Sequence, residues 1–375
     1  MNIDMLQLSP GLFERKILLS VVGLAPQVVT ETLYGLVTSE NPFIPDEIHL
    51  ITTAKGAERA KLLLLDESPG WFRRLLMDYG LPEIIFNENH IHIVRSPNGS
   101  PLQDIRSAED NELVADFISE KVRYFTEDSN CALHVSIAGG RKTMGFYLGY
   151  ALSLYGRPQD RLSHVLVSSS YESNPEFFYP TPNSCIIRAR SPGKQSLDTK
   201  QAKVVLAEIP FVRLRRDLST RITSKEFSFK ETVEAAQRQE SKPKLVIGME
   251  HKTIQVGDEE VHLAPAEFAF YTWMAKRRSQ RNPPVHWTDR GIGQEYLEHY
   301  KNIVGPMAAD FDRVAAALHG GMTKDYFDFR KSKTNGSMKD VLGYRTAEPY
   351  LIKPHGSRPK TRFGVSLAVD AIVFI

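Results

Sequence analysis

From residue 16 to residue 189 the chain alternates short, nearly unbroken apolar runs with amphipathic stretches of helical period. That alternation restricts its fold more than anything else in the sequence. The predicted strands are Lys16–Val22, Glu47–Thr52, Ile91–Val94, Leu133–Ala138, Leu162–Ser168 and Ser184–Ala189. Helices are predicted at Pro26–Thr38, Lys55–Leu65, Trp71–Tyr79, Ala108–Phe125 and Lys142–Leu154. Strands that are apolar on both faces and separated by helices predict a mostly parallel α/β sheet, covered on both sides. Such sheets bind ligands beyond the carboxyl ends of their strands, where the strand order reverses. The loops after Val22, Ile51 and Ile137 are therefore the places to look for a site.

The loop after Ile137 carries the most chemistry. Ala138-Gly139-Gly140 leads from a strand into a helix that opens with Arg141-Lys142-Thr143. Two glycines permit close backbone approach to a ligand, and a helix start leaves N–H groups free for an anion. Arg141 and Lys142 add cationic charge there, Thr143 adds a hydroxyl, and Ser136 lies at the strand end. The spacing is neither Gly-x4-Gly-Lys-Ser/Thr nor Gly-x-Gly-x-x-Gly, so no P-loop or dinucleotide fold is indicated. The first loop offers Gly23, Ala25, Pro26 and Gln27, with Pro26 suited to a first helical turn. The second offers Thr53 and Lys55. Asp104, Arg106, Asp110 and Asn111 precede a long helix and read equally as ligand contacts or as capping, with Ser107 an apt N-cap. Those acids match no metal-binding loop, and the eleven histidines contain no zinc motif.

Together with Lys16–Tyr34, Leu102–Asn111 and Gly156–Val167, the Gly139-Gly140-Arg141-Lys142 segment resembles the CARF superfamily over residues 14–215. Within it, these stretches are similar to the CRISPR-associated ring-nuclease branch of type III systems. The resemblance implies a Rossmann-like domain that binds cyclic oligoadenylate, the tetramer in particular, across a homodimer. It also implies an enzyme that cleaves the ring without metal or cofactor, by attack of a ribose 2′-hydroxyl on the adjacent phosphorus. In that reading Lys142 and Arg141 stabilise the transition state. Gln27, Thr53 and Thr143 position the ring, and Gly23, Ala25, Pro26, Lys55, Ser136, Gly139, Gly140, Asp104, Arg106 and Asn111 complete the ligand set.

At 375 residues two domains are expected: a sensor over 1–240 and a second domain over 241–375. A net charge of +2 excludes a global basic field. Cys131 and Cys185 have no metal-type spacing and fit a reducing compartment. No opening segment resembles a signal peptide, and no apolar run approaches the ~20 residues of a membrane helix. A cytoplasmic protein is expected. The second part predicts strands over Lys244–Gly248 and Thr253–Leu263 and helices at Ala264–Lys276, Met307–Leu318 and Ser332–Leu342. Two strands follow, at Tyr350–Lys353 and Phe363–Leu367. Helices followed by a basic β-ribbon resemble a winged helix-turn-helix. Residues 330–362 hold nine Lys or Arg against two acids. Lys331, Lys333, Lys339, Arg358, Lys360 and Arg362 are the expected contacts if duplex DNA is a partner. The alternative function is thus a ligand-responsive DNA-binding regulator without catalysis. An RNase of HEPN type is a third reading. Its Arg-x4–6-His pattern matches Arg281/His286, which Pro283-Pro284 keeps from being helical, and Arg313/His319, where the gap is apolar.

Overall fold

A computed structural model describes residues 12–66, 70–189, 196–223, 227–237, 243–305, 309–357 and 361–375. Two compact units emerge, one of Met1–Arg215 with Ser228–Lys230, the other of Arg216–Phe227 with Glu231–Ile375.

The first unit is a mixed α/β layer structure. In chain order it runs β1 (Arg15–Val21), α1 (Gln27–Val37), β2 (Glu47–Thr52), α2 (Ala54–Ala60), α3 (Trp71–Asp78), β3 (Ile91–Ile93), α4 (Ala108–Glu127), β4 (Cys131–Ser136), α5 (Lys142–Tyr155) and β5 (Arg161–Val167). A small ribbon, β6 (Ile186–Ile187) with β7 (Leu197–Asp198), and the strand β8 (Val204–Glu208) follow. The main sheet has the order β3-β2-β1-β4-β5-β8. Its first five strands are parallel and β8 closes it antiparallel to β5. Ile17, Leu18, Leu19 and Val21 are all fully buried, as the two-sided apolar pattern requires. On one face Leu18 packs with Val29 and Leu33 of α1 and Phe72 of α3.

The strand order reverses between β1 and β4. From β1 the chain moves outward through β2 to β3, then returns to pair β4 on the other side of β1.

One expectation is corrected. Ser184–Ala189 contributes only the two-residue β6, outside the main sheet, because Asp198 draws the Ser184 hydroxyl and the Cys185 N–H to its carboxylate. The sixth strand is instead β8, which is cut at Glu208 ahead of Pro210. The arginines beyond it serve the interior: Arg213 donates to the carbonyls of Arg157 and Asp160, and Arg215 to those of Thr126 and Tyr155. Arg157 and Asp160 form a buried ion pair at 2.9 Å. Asp160 also accepts from the Leu133 N–H, so that motif laces β4 to the β5 entry.

The second unit includes the short α6 (Thr220–Thr223), while α7 (Phe229–Gln237) begins within the Ser228–Lys230 stretch counted with the first. The meander β9 (Leu245–Gly248), β10 (Thr253–Val256) and β11 (Glu259–Val261) comes next. Then come α8 (Pro265–Ser279), α9 (Ile292–Val304), α10 (Ala309–Leu318), α11 (Lys324–Leu342) and α12 (Tyr344–Ala347). The ribbon β12 (Ile352–His355) and β13 (Arg362–Val365) and the strand β14 (Ile372–Phe374) complete it. β14 joins β9 in parallel, giving the order β11-β10-β9-β14. The core is built around α8, whose residues Phe268 to Ala275 are all buried.

Candidate functional site

At the strand-order reversal the loops after β1 and β4 touch backbone to backbone. A Cβ added to Gly23 would lie 3.2 Å from the Gly140 Cα, and one on Gly139 would lie 2.4 Å from the Val21 carbonyl oxygen. Gly140 has φ +76°, a conformation that a side chain disfavours. The loop after β2 is tied in by the Thr52 hydroxyl, which donates to the Val22 carbonyl at 2.6 Å. The 103–106 segment is held against the start of α2 by the Ala54 N–H, which donates to Leu102. Four loops thus frame one region beyond the carboxyl ends of β1, β2 and β4.

Two cavities open there and share Gly23, Leu24 and Gly140 as a common wall. The first, about 420 Å³, is lined by Thr53, Lys55, Asp104, Arg106, Arg141 and Met144 among others. Arg141 donates to both carboxylate oxygens of Asp104, at 2.9 and 2.7 Å. That contact, with the Ile105 N–H and Arg106, holds the Asp104 carboxyl down at about 2. Lys55 is exposed at the first turn of α2, and among the described residues it has no ion pair. This cavity suits an anion.

The second cavity, about 440 Å³, has a different chemistry. Gln27 is buried there; its amide donates to the Pro175 carbonyl at 3.1 Å, and its Oε1 has no partner among the described residues. Glu31, 8% exposed, is pushed up to about 7 by burial and by the charge of Glu172. His164 Nδ1 is likewise buried without a partner among the described residues. The lining is completed by Glu172, Ser173 and Asn174 and by the Gly139 backbone. These groups present hydrogen-bond acceptors, suited to a ligand edge that carries N–H or O–H donors.

The predicted residues divide by location. Gly23, Thr53, Lys55, Asp104, Arg106, Gly140 and Arg141 line the first cavity, and Ala25, Gln27 and Gly139 the second. Thr53 also caps α2, accepting from the Gly56 N–H, and Pro26 is the N-cap of α1. Lys142 and Thr143 stand exposed on the first turn of α5, beside the cavities and outside both linings. Among the described residues Lys142 has no ion pair. Ser136 is buried and bonded to Thr32 at 3.2 Å, while Asn111 donates to Tyr147 of α5. Both serve packing. Ser107 and Asp110 form a capping box on α4, which accounts for Asp110. Sequence reasoning left Glu31 open to helix-surface packing and did not single out His164 or Glu172, because nothing local distinguishes a helix-surface Glu from one buried by β5.

In the second unit several of the basic residues are paired with acids. Arg362 pairs with Asp289 at 2.7 Å, Lys331 with Asp328 at 2.6 Å and Lys353 with Glu348 at 2.7 Å. Lys339 stands over the Tyr344 ring, and Lys333 is exposed. Arg358 and Lys360 lie outside the described residues. Arg281 and His286 fall in the turn after α8, not on a helix.

Residues 25–242, more than half of the chain, match the family model described as CRISPR-associated protein NE0113. The chain belongs to that CRISPR-associated family. No curated protein matches it by sequence. Among solved structures, Enterococcus italicus Csm6 bound to cyclic hexa-2′-fluoro-hexa-dAMP is similar at 15% identity with a TM-score of 0.27. The match covers 43% of this chain and 35% of that one, so it spans about a third of the Csm6 chain. No helix among the described residues is long and apolar enough to cross a membrane.

Proposed function

We propose that the first unit of this CRISPR-associated protein is a CARF-type sensor of cyclic oligoadenylate in a type III system, and that it opens the ring as a metal-independent nuclease. The observation that carries this reading is the paired cavity at the strand-order reversal, cationic on one side and acceptor-lined on the other, joined by a Gly-Gly backbone cradle. A phosphate-ribose backbone suits the Lys55, Arg106 and Gly140 side. A base with an exocyclic amine suits the Gln27 and Glu31 side.

A ring of two-fold symmetry is met best by two copies offering the same loops. Leu24 and Phe146, 64% and 63% exposed beside the site, supply apolar surface for such a pairing. In the reaction the 2′-hydroxyl attacks the adjacent phosphorus, the bond to the 5′-oxygen breaks, and a 2′,3′-cyclic phosphate and a 5′-hydroxyl remain. Positioning and charge stabilisation are what the protein must provide. Lys142 takes the phosphorane oxygens, joined by Arg141 once phosphate displaces Asp104. Glu31, titrating near neutrality, is matched to accepting the 2′-hydroxyl proton.

The test is incubation with labelled cyclic tetra- and hexa-adenylate in EDTA. The reading expects tight binding of the tetramer and linear products ending in 2′,3′-cyclic phosphate. Binding without turnover would leave a sensor, and absence of binding would end the proposal.

A further inference from the structure

A second cluster of titratable groups lies at the other end of β2. Glu47 and His49 are two residues apart on that strand and so share a face. The pairing of Leu50 with Ile91 brings His90 and His92 alongside them. One ligand atom from each of Glu47, His49 and His90 falls within 4.8 Å of the other two. We propose that Glu47, His49 and His90 bind a divalent metal ion of the zinc type, with water in the fourth position.

Two imidazoles and one carboxylate are donors that zinc accepts, and zinc bonds of ~2.0–2.2 Å place neighbouring ligand atoms roughly 3.4 Å apart. His49 Nε2 and Glu47 Oε2 are already at 2.9 Å, so the trio reaches that spacing by side-chain movements of about an ångström. Each ligand also has an outer partner, the arrangement that orients metal ligands. Arg15 Nε donates to the Glu47 Oε1 at 2.8 Å. His49 Nδ1 is 2.9 Å from His92 Nε2. His90 Nδ1 is 3.0 Å from Asn87 Oδ1, and the tautomer protonated at Nδ1 leaves Nε2 a free lone pair.

Without an ion, the chain Arg15–Glu47–His49–His92 closes as a hydrogen-bonded network that does not include His90. The His90 ring nevertheless stands 4.7 Å from that of His49, and Glu47 and His90 are only partly buried, which leaves an entry path. The Arg15 charge offsets that of Glu47, so the affinity expected is modest, in the micromolar range. The cluster lies at the amino end of β2, away from the cavities beyond Thr52. The ion is structural, clamping β2 to the turn that enters β3.

The experiment titrates zinc alone into the EDTA-stripped full-length protein, with competition by a chromophoric chelator and parallel thermal unfolding. One equivalent should bind and raise the melting temperature. His90→Ala, a change at a partly exposed position, should weaken binding at least tenfold while the metal-free melting temperature stays as in wild type. His49→Gln should weaken it similarly. No zinc binding by the wild type, or stoichiometric binding insensitive to both substitutions, would overturn the proposal.

Discussion

Glu31 and Asp104 are the two carboxylates whose behaviour is most informative, and they depart from the ordinary value in opposite directions. Glu31 titrates at about 7 in the folded protein, above its unfolded value. The native state therefore binds more protons across roughly pH 4.5 to 7, and stability falls as pH rises through that window. Glu31→Gln removes the buried charge. It should raise stability at pH 8 by about 1–3 kcal/mol and flatten the decline, read from urea unfolding at pH 5 and pH 8. If Glu31 accepts the 2′-hydroxyl proton, the same variant should lose turnover while retaining ring binding. In the proposed reading Asp104 competes with phosphate for Arg141. Asp104→Asn should release that guanidinium and tighten cyclic tetra-adenylate binding, whereas Lys142→Ala should weaken it roughly ten- to a hundredfold; calorimetry at low salt reads both. The glycines and cations of this site were readable in the sequence because their types and order are local. The roles of Glu31, His164 and the Arg141–Asp104 pair were not, since each depends on a neighbour far away in the chain.

Among elements, the turn from β4 into α5 is tightly constrained. Gly139→Ala drives a methyl group against the Val21 carbonyl. The overpacking should cost about 1–3 kcal/mol and push apart the loops that frame both cavities, so ring binding should fall with stability. Thermal unfolding and binding on the same preparation check this. The strands β1 to β5 could be read to within a residue or two, since apolar runs flanked by turns leave few alternatives. β6 was overestimated because its pattern said nothing of the Asp198 that pulls it aside. The Glu47, His49 and His90 group could not be seen at all: β2 and β3 pair in register only in the folded sheet, and no short motif encodes that pairing.

The two units differ in how much of each was foreseeable. In the second, the helices α8, α10 and most of α11 were expected, while α9 and β14 were not: α9 carries a readable stripe of Ile292, Tyr296, Tyr300 and Ile303 that was overlooked, and β14 is only three residues long. Its basic excess was visible, but not the acids that face it. With Arg362, Lys331 and Lys353 engaged by Asp289, Asp328 and Glu348, duplex affinity should be weak. If DNA is a partner, binding should fall with salt at a slope near the number of phosphates contacted. Asp289→Asn should then steepen it by freeing Arg362. A fluorescence-anisotropy titration across salt concentrations decides, and absence of salt-dependent binding would assign this unit another role. The pairing of β14 with β9 also bears on biogenesis. As the polypeptide leaves the ribosome, β9 and its meander emerge early, but the strand that covers the outer edge of β9 follows only after every helix of the unit has been made. For that interval a nascent chain carries an open sheet edge able to recruit a neighbour on the same polysome. Yield in a fast-translating host is therefore expected to be limited by this long-range closure, and slower synthesis at lower temperature should recover more of the native form.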